Sequence, residues 1–139
     1  MPNVSASAIR SALSTKLGEV AELKSVAIGR TFNFSAGFPA CRHYLVGIAS
    51  EPVDNMPSDY RTYQFAIDVV QQYTAQAVAT AEANFQDAVD AVLDKLNSQW
   101  NLGGVDNSVI EQSPVTYEDG PQGPTLYCSI IFQARVLIY

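Results

Sequence analysis

Long stretches of alternating apolar and polar residues constrain this chain more than any other feature. From Tyr60 to Tyr73, residues Tyr63, Phe65, Ile67, Val69 and Tyr73 fall on one side of an extended backbone. Thr62, Gln64, Asp68 and Gln72 fall on the other. Successive side chains of a strand point to opposite faces, so this pattern predicts a strand in a sheet buried on one side. The same period returns from Thr125 to Tyr139. Leu126, Cys128, Ile130, Phe132, Ala134, Val136 and Ile138 oppose Tyr127, Ser129, Gln133 and Arg135, with Ile131 and Leu137 as apolar residues on the second side.

A half-buried sheet needs a cover, and the region from about Thr80 to Trp100 supplies one. At helical spacing, Phe85, Val89, Val92, Leu93, Leu96 and Trp100 gather within about 100° of arc. Asp87, Asp90 and Asp94 project from the opposite side. Glu82 is placed in the first turn, where the helix dipole favours an acid, and Gly103-Gly104 is read as the stop. An earlier helix, Ser5 to about Leu23, carries Ile9, Leu13, Leu17 and Val20 as one stripe, with Ser5 or Ser7 as its cap.

Between the helices, Lys24 to Phe34 has strand composition, with Val26, Ile28, Phe32 and Phe34 on one face. Ser35 to Pro39 breaks it, and Ala40 to Ser50 resumes with Tyr44, Val46 and Ile48 on one face. The spacing predicts an antiparallel hairpin. Glu51 to Asp59, with two prolines, reads as a loop. Val105 to Tyr117 is a weaker strand interrupted near Pro114, and Glu118 to Pro124 is turn material. The order helix, three strands, helix, two strands predicts an α+β fold, mostly antiparallel, with helices on one face. Residues 1–139 read as a single domain, a length that buries roughly two-thirds of the unfolded surface.

Charge excludes some partners. The net charge is −6. Residues 1–80 carry six acids and six bases, while residues 81–139 carry eight acids against Lys95 and Arg135. An acidic second half repels nucleic acid and anionic membrane. No apolar run approaches the roughly 20 residues that cross a bilayer. The start of the chain does not read as a signal peptide, so folding in a cytoplasm is expected. The sequons at Asn3 and Asn33 are then chance matches, and Cys41 and Cys128 are expected as buried thiols.

The search for chemistry returns little. His43 is the one histidine. Cys41 and His43 share a strand face, which permits a thiolate–imidazole pair or part of a metal site. The ordinary reading is two partly buried residues on a sheet. No nucleophile elbow, phosphate-binding loop or dinucleotide fingerprint occurs, and no cofactor site is expected. Asp87, Asp90 and Asp94 lie opposite the apolar stripe and read as a solvated or partner-facing surface. Asp68 reads as exposed or ion-paired. Two features stand out: the Pro/Gly-rich segments at 35–39, 51–59 and 114–124, and tyrosines that punctuate strands and suit interfaces.

The run Y-R-T-Y-Q-F-A-I-D-V-V, the helix E-A-N-F-Q-D-A-V-D-A-V-L-D-K-L and the Gly/Pro-tipped hairpin ending R-V-L-I-Y complete this element order. The whole resembles the tail terminator (tail completion) proteins of long-tailed bacteriophages. The resemblance implies a virion structural protein with no catalytic role. Its copies would close into a hexameric ring on the last ring of the tail tube, stop tube growth and offer a surface to the head completion or connector protein. DNA would pass through without specific binding, and the protein would sit at the head-proximal end of the tail after assembly in the host cytoplasm. The candidate interface residues are Pro52, Asp54, Met56, Pro57, Asp59, Arg61, Tyr63, Asp87, Asp90, Asp94 and Arg135. Arg61 and Arg135 are candidate partners for acids of the next subunit. Two alternatives stay open: another head–tail joining or minor tail protein, and a small-molecule-binding domain or enzyme using Cys41 and His43.

Overall fold

The computed structural model describes residues 5–31, 34, 37–52, 59–74, 76–98, 105–120 and 123–138. Their elements are α1 (Ala6–Gly18), β1 (Ser25–Ile28), β2 (Ala40–Pro52), β3 (Asp59–Gln72), α2 (Val78–Leu96), β4 (Val105–Gln112), β5 (Thr116–Gly120) and β6 (Gly123–Ile138). The strands form one sheet in the order β1-β2-β3-β6-β4, with β5 also pairing to β6. The fold is α+β with a mostly antiparallel sheet, as expected. β3 and β6, the two alternating segments, lie side by side at its centre and pair from Asp59↔Ile138 to Gln72↔Thr125.

Both helices cover the same face. Ile9, Leu13 and Leu17 of α1 and Phe85, Val92 and Leu96 of α2 are buried there against Phe65, Ile67, Leu126, Ile130 and Phe132. Each such side chain contributes about 1.5–3 kcal/mol on leaving water. In α1 the Ser5 hydroxyl accepts the Ala8 N–H at 3.1 Å, capping the start. The helix ends at Gly18 rather than near Leu23, although Val20 still packs into the core. α2 begins at Val78, so Glu82 lies in the second turn and not the first. It ends at Leu96 with Asn97 as its cap, well before Gly103-Gly104, which like Trp100 lies outside the described residues.

The expected hairpin of the first two strands does not form. β1 is short, and it pairs with β2 in parallel, Ser25↔Ala40 to Ile28↔His43. Alternation assigns faces but not direction, and the link at 29–39 is long enough to cross the sheet. Of its described residues, Phe34 and Phe38 pack on the face opposite the helices with Ala27, Ala40, Val70 and Tyr127 in a second small core. The two rings meet edge to face at 5.6 Å. Phe34 thus belongs to the second face rather than to a strand; Phe32 lies outside the described residues.

Four further expectations change. β2 runs on to Pro52 and β3 begins at Asp59, so the expected loop shrinks to residues 53–58, outside the described set. Val105 to Tyr117 divides around Pro114 into β4 and β5, giving three strands after α2 instead of two. Most of the expected turn at Glu118 to Pro124 is strand, since β5 runs to Gly120 and β6 begins at Gly123, with residues 121–122 outside the described set. In β2, Tyr44, Val46 and Ile48 do not share a buried face. An extra residue between Leu45 and Gly47 shifts the register with β3, so Ile48 falls on the helix side opposite Tyr63.

Candidate assembly interface

The residues with chemical potential are tied up in the interior. His43 is fully buried beneath α1, and its Nε2 lies 2.7 Å from the Ser14 hydroxyl. Its Nδ1 has no hydrogen-bond partner. Burial, with the nearby Arg10 charge, pushes the imidazole down to about 4, so it is neutral near pH 7. Cys41 shares that face as expected, but burial and then the Asp68 charge push its thiol up to about 12. A protonated thiol beside a neutral imidazole without an orienting acid is a poor nucleophile pair. Cys128 is also a fully buried free thiol. Among the described residues, no three His, Cys, Asp or Glu side chains come close enough to hold a metal.

Asp68 is ion-paired, one of its two expected states, and it is completely buried. Its Oδ2 accepts from Arg42 Nε at 2.7 Å and from the Tyr44 hydroxyl at 2.9 Å, and its Oδ1 accepts from the Ser129 hydroxyl at 2.7 Å. Arg42 also donates to the Thr31 carbonyl at 3.1 Å, fastening the crossing link to the sheet. Burial, then the Asp68 charge, pushes the Tyr44 phenol up to about 12. The cluster is a structural clamp on the second face. A cleft of about 420 Å³ at the start of α2 is lined by Gln71, Gln72, Thr74, Thr80 and Asn84 among others. Its described lining includes no carboxylate, histidine or thiol.

The sequence-derived interface set divides. Asp54, Met56 and Pro57 lie outside the described residues. Pro52 is exposed at the end of β2, and Asp59 is half-buried opposite it at the start of β3. Tyr63 is a core residue, 4% exposed, because it lies on the helix-covered side of the central strand β3. Arg61 interacts with the Tyr63 hydroxyl. Arg135 stacks over the Tyr60 ring at 3.8 Å and pairs with Glu51 at 3.5 Å. Both bases therefore have partners within their own chain. Asp87, Asp90 and Asp94 are exposed on the outer side of α2.

The interface candidates that sequence reasoning did not name are the apolar residues of the two sheet edges. Beyond β1, the outer side of β2 is unpaired among the described residues, and so is the outer side of β4. The first edge carries exposed Ile28, Leu45, Val46 and Ile48; the second carries Ile110, Val115 and Tyr117. Single exposed apolar residues are ordinary, but rows of them on open strands are the usual mark of a partner surface. The available signal was the adjacent apolar pairs Leu45-Val46 and Val109-Ile110, which interrupt alternation where each strand bulges. Charge also separates the edges. Residues 105–120 hold four acids and no base. On the other edge Arg30 is exposed, set 5.5 Å from the Tyr44 ring.

No family model matches the chain, and no curated protein is similar to it. Among solved structures, a chain of the virion of a native gene transfer agent (GTA) particle is similar over 89% of this chain and 83% of that chain, with a TM-score of 0.46 and 16% identity.

Proposed function

We propose that this protein is a non-enzymatic virion structural protein that acts as a tail terminator. Copies of the chain close into a ring, a hexamer by the family resemblance, on the end of the tail tube. The ring stops tube growth and presents a surface to the head completion or connector protein. The observation that carries the reading is the pair of open, apolar sheet edges. They differ from one another, and two unlike surfaces on one chain suit head-to-tail association, which generates rings when the rotation closes. The acidic outer face of α2 suits a surface that DNA passes without adhering.

Electron microscopy of the purified protein, alone and with tail tubes, tests this. Closed rings or capped tubes are expected. A chain that associates neither with itself nor with a tube refutes it. Particles assembled without the protein are expected to carry overlong tails; normal-length headless tails would instead indicate another joining protein.

A further inference from the structure

The registers of the sheet allow the contact between copies to be specified. Tyr44, Ala66, Ile131 and Glu111 stand in one row across β2, β3, β6 and β4. Leu45, Phe65, Phe132 and Val109 form the next row, and Ser50, Arg61, Val136 and Val105 a later one. The open length of β2 and the open length of β4 therefore occupy the same rows at opposite sides of the sheet. Three successive antiparallel pairings make β4 antiparallel to β2. β1 ends at Ile28, which among the described residues leaves a notch above it and beside β2.

Resting on the ring reading, we infer that β4 of a second copy of this chain enters this notch and pairs antiparallel with β2 between Tyr44 and Ser50. With no stagger between copies, three features coincide. Val46 and Ile110 are the extra residues of the two bulges, 49% and 47% exposed, and they fall within one row of each other. One row is about 3.3 Å along a strand, so the two side chains meet. Glu111 of the second copy arrives in the row of Tyr44 and on the same face, where Arg30 is stacked. The acidic β4–β5 edge thus meets an edge whose one acid, Glu51, is already paired with Arg135. Bulges normally discourage edge pairing, because a regular strand no longer matches. Here each edge fits a partner bulged at the neighbouring row, and the four acids of residues 105–120 disfavour β4–β4 pairing.

The test mixes full-length Val46→Cys and Ile110→Cys proteins under mild oxidation. Cys41 and Cys128 are fully buried and stay silent. The mixed disulfide is expected to exceed either homodisulfide by about tenfold, and Glu111→Arg to weaken association by about tenfold, restored when Arg30→Glu is added to the same chain. Prevalence of a homodisulfide, or no cross-link at millimolar concentration and on tail tubes, overturns the pairing. Closed rings that form without the mixed link overturn the pairing but keep the ring. Open filaments held by the mixed link keep the pairing and remove the ring.

Discussion

Replacing Asp68 with Asn removes one negative charge from the interior and almost nothing of the side chain's shape. Asp68 is 0% exposed, and Arg42, at 4%, sits 2.7 Å from it. Taking the carboxylate's charge away leaves the guanidinium buried with only neutral acceptors. Breaking a buried ion pair from one side costs about 3–5 kcal/mol. The Tyr44 and Ser129 hydroxyls would then face an amide that presents one acceptor instead of two, which keeps the expected loss within that range rather than below it. For a domain this size the change corresponds to a fall in Tm on the order of 10 °C or more, and a urea midpoint lower by roughly 2 M. Chemical denaturation of wild type, Asp68→Asn, Arg42→Met and the double variant measures it. The double variant removes both charges, so it should be more stable than the sum of the single losses by about 1–3 kcal/mol. A loss below about 1 kcal/mol for Asp68→Asn, or strict additivity in the cycle, would show that the clamp does not depend on opposite charges in a dry site.

Other outcomes follow from single sites. The folded imidazole of His43 titrates near 4, below its ordinary 6.5, so the unfolded chain takes up the proton first. Stability is then lost as pH falls through that window and is unaffected by this group below it; the total is up to about 3 kcal/mol, and a His43→Gln variant should lack that part of the slope. An unchanged pH profile in the variant refutes this. Cys41 and Cys128 should not react with a thiol reagent at neutral pH until the protein unfolds, and two equivalents reacting in the native state would contradict their burial. Leu13→Ala, at a fully buried position of α1, should cost about 2–5 kcal/mol by urea denaturation. Asp90→Asn on the outer side of α2 should stay within about 0.5 kcal/mol of wild type.

The central sheet and its cover were legible where a single face is buried, along β6, α1, α2 and the first half of β3, because burial on one face leaves a clean period. Legibility failed where both faces are covered. Around Ala40–His43 and Ile67–Val70 the crossing link buries the second face, so apolar and polar residues no longer alternate by side. Asp68 reads there as exposed or ion-paired, since alternation carries no sign of its burial or of Arg42 as the base that binds it. The parallel direction of β1 was equally hidden, because period two is the same for both directions. The edge residues were hidden for a different reason: alternation gives β2 a face but not its cover, and Leu45 and Ile48 stay exposed although their register places them on the helix side. Arg61 and Arg135 were chosen for scarcity of bases, a criterion that ignores the aromatic rings and acids beside them.

The place of β6 in the sheet sets the order in which the molecule can be made. It is the last of the described elements to be synthesised, yet it lies between β3 and β4 and supplies much of the floor on which α2 rests. Until residues 123–138 leave the ribosome, β3 has an unsatisfied edge, β4 and β5 have no partner, and Asp68 lacks Ser129. Its pairings with β3 join positions far apart in the chain, a topology that folds slowly because loop closure precedes the contacts that reward it. Native structure therefore arrives after synthesis of this strand, and the nascent chain must pass through a period in which its most apolar strands are bare.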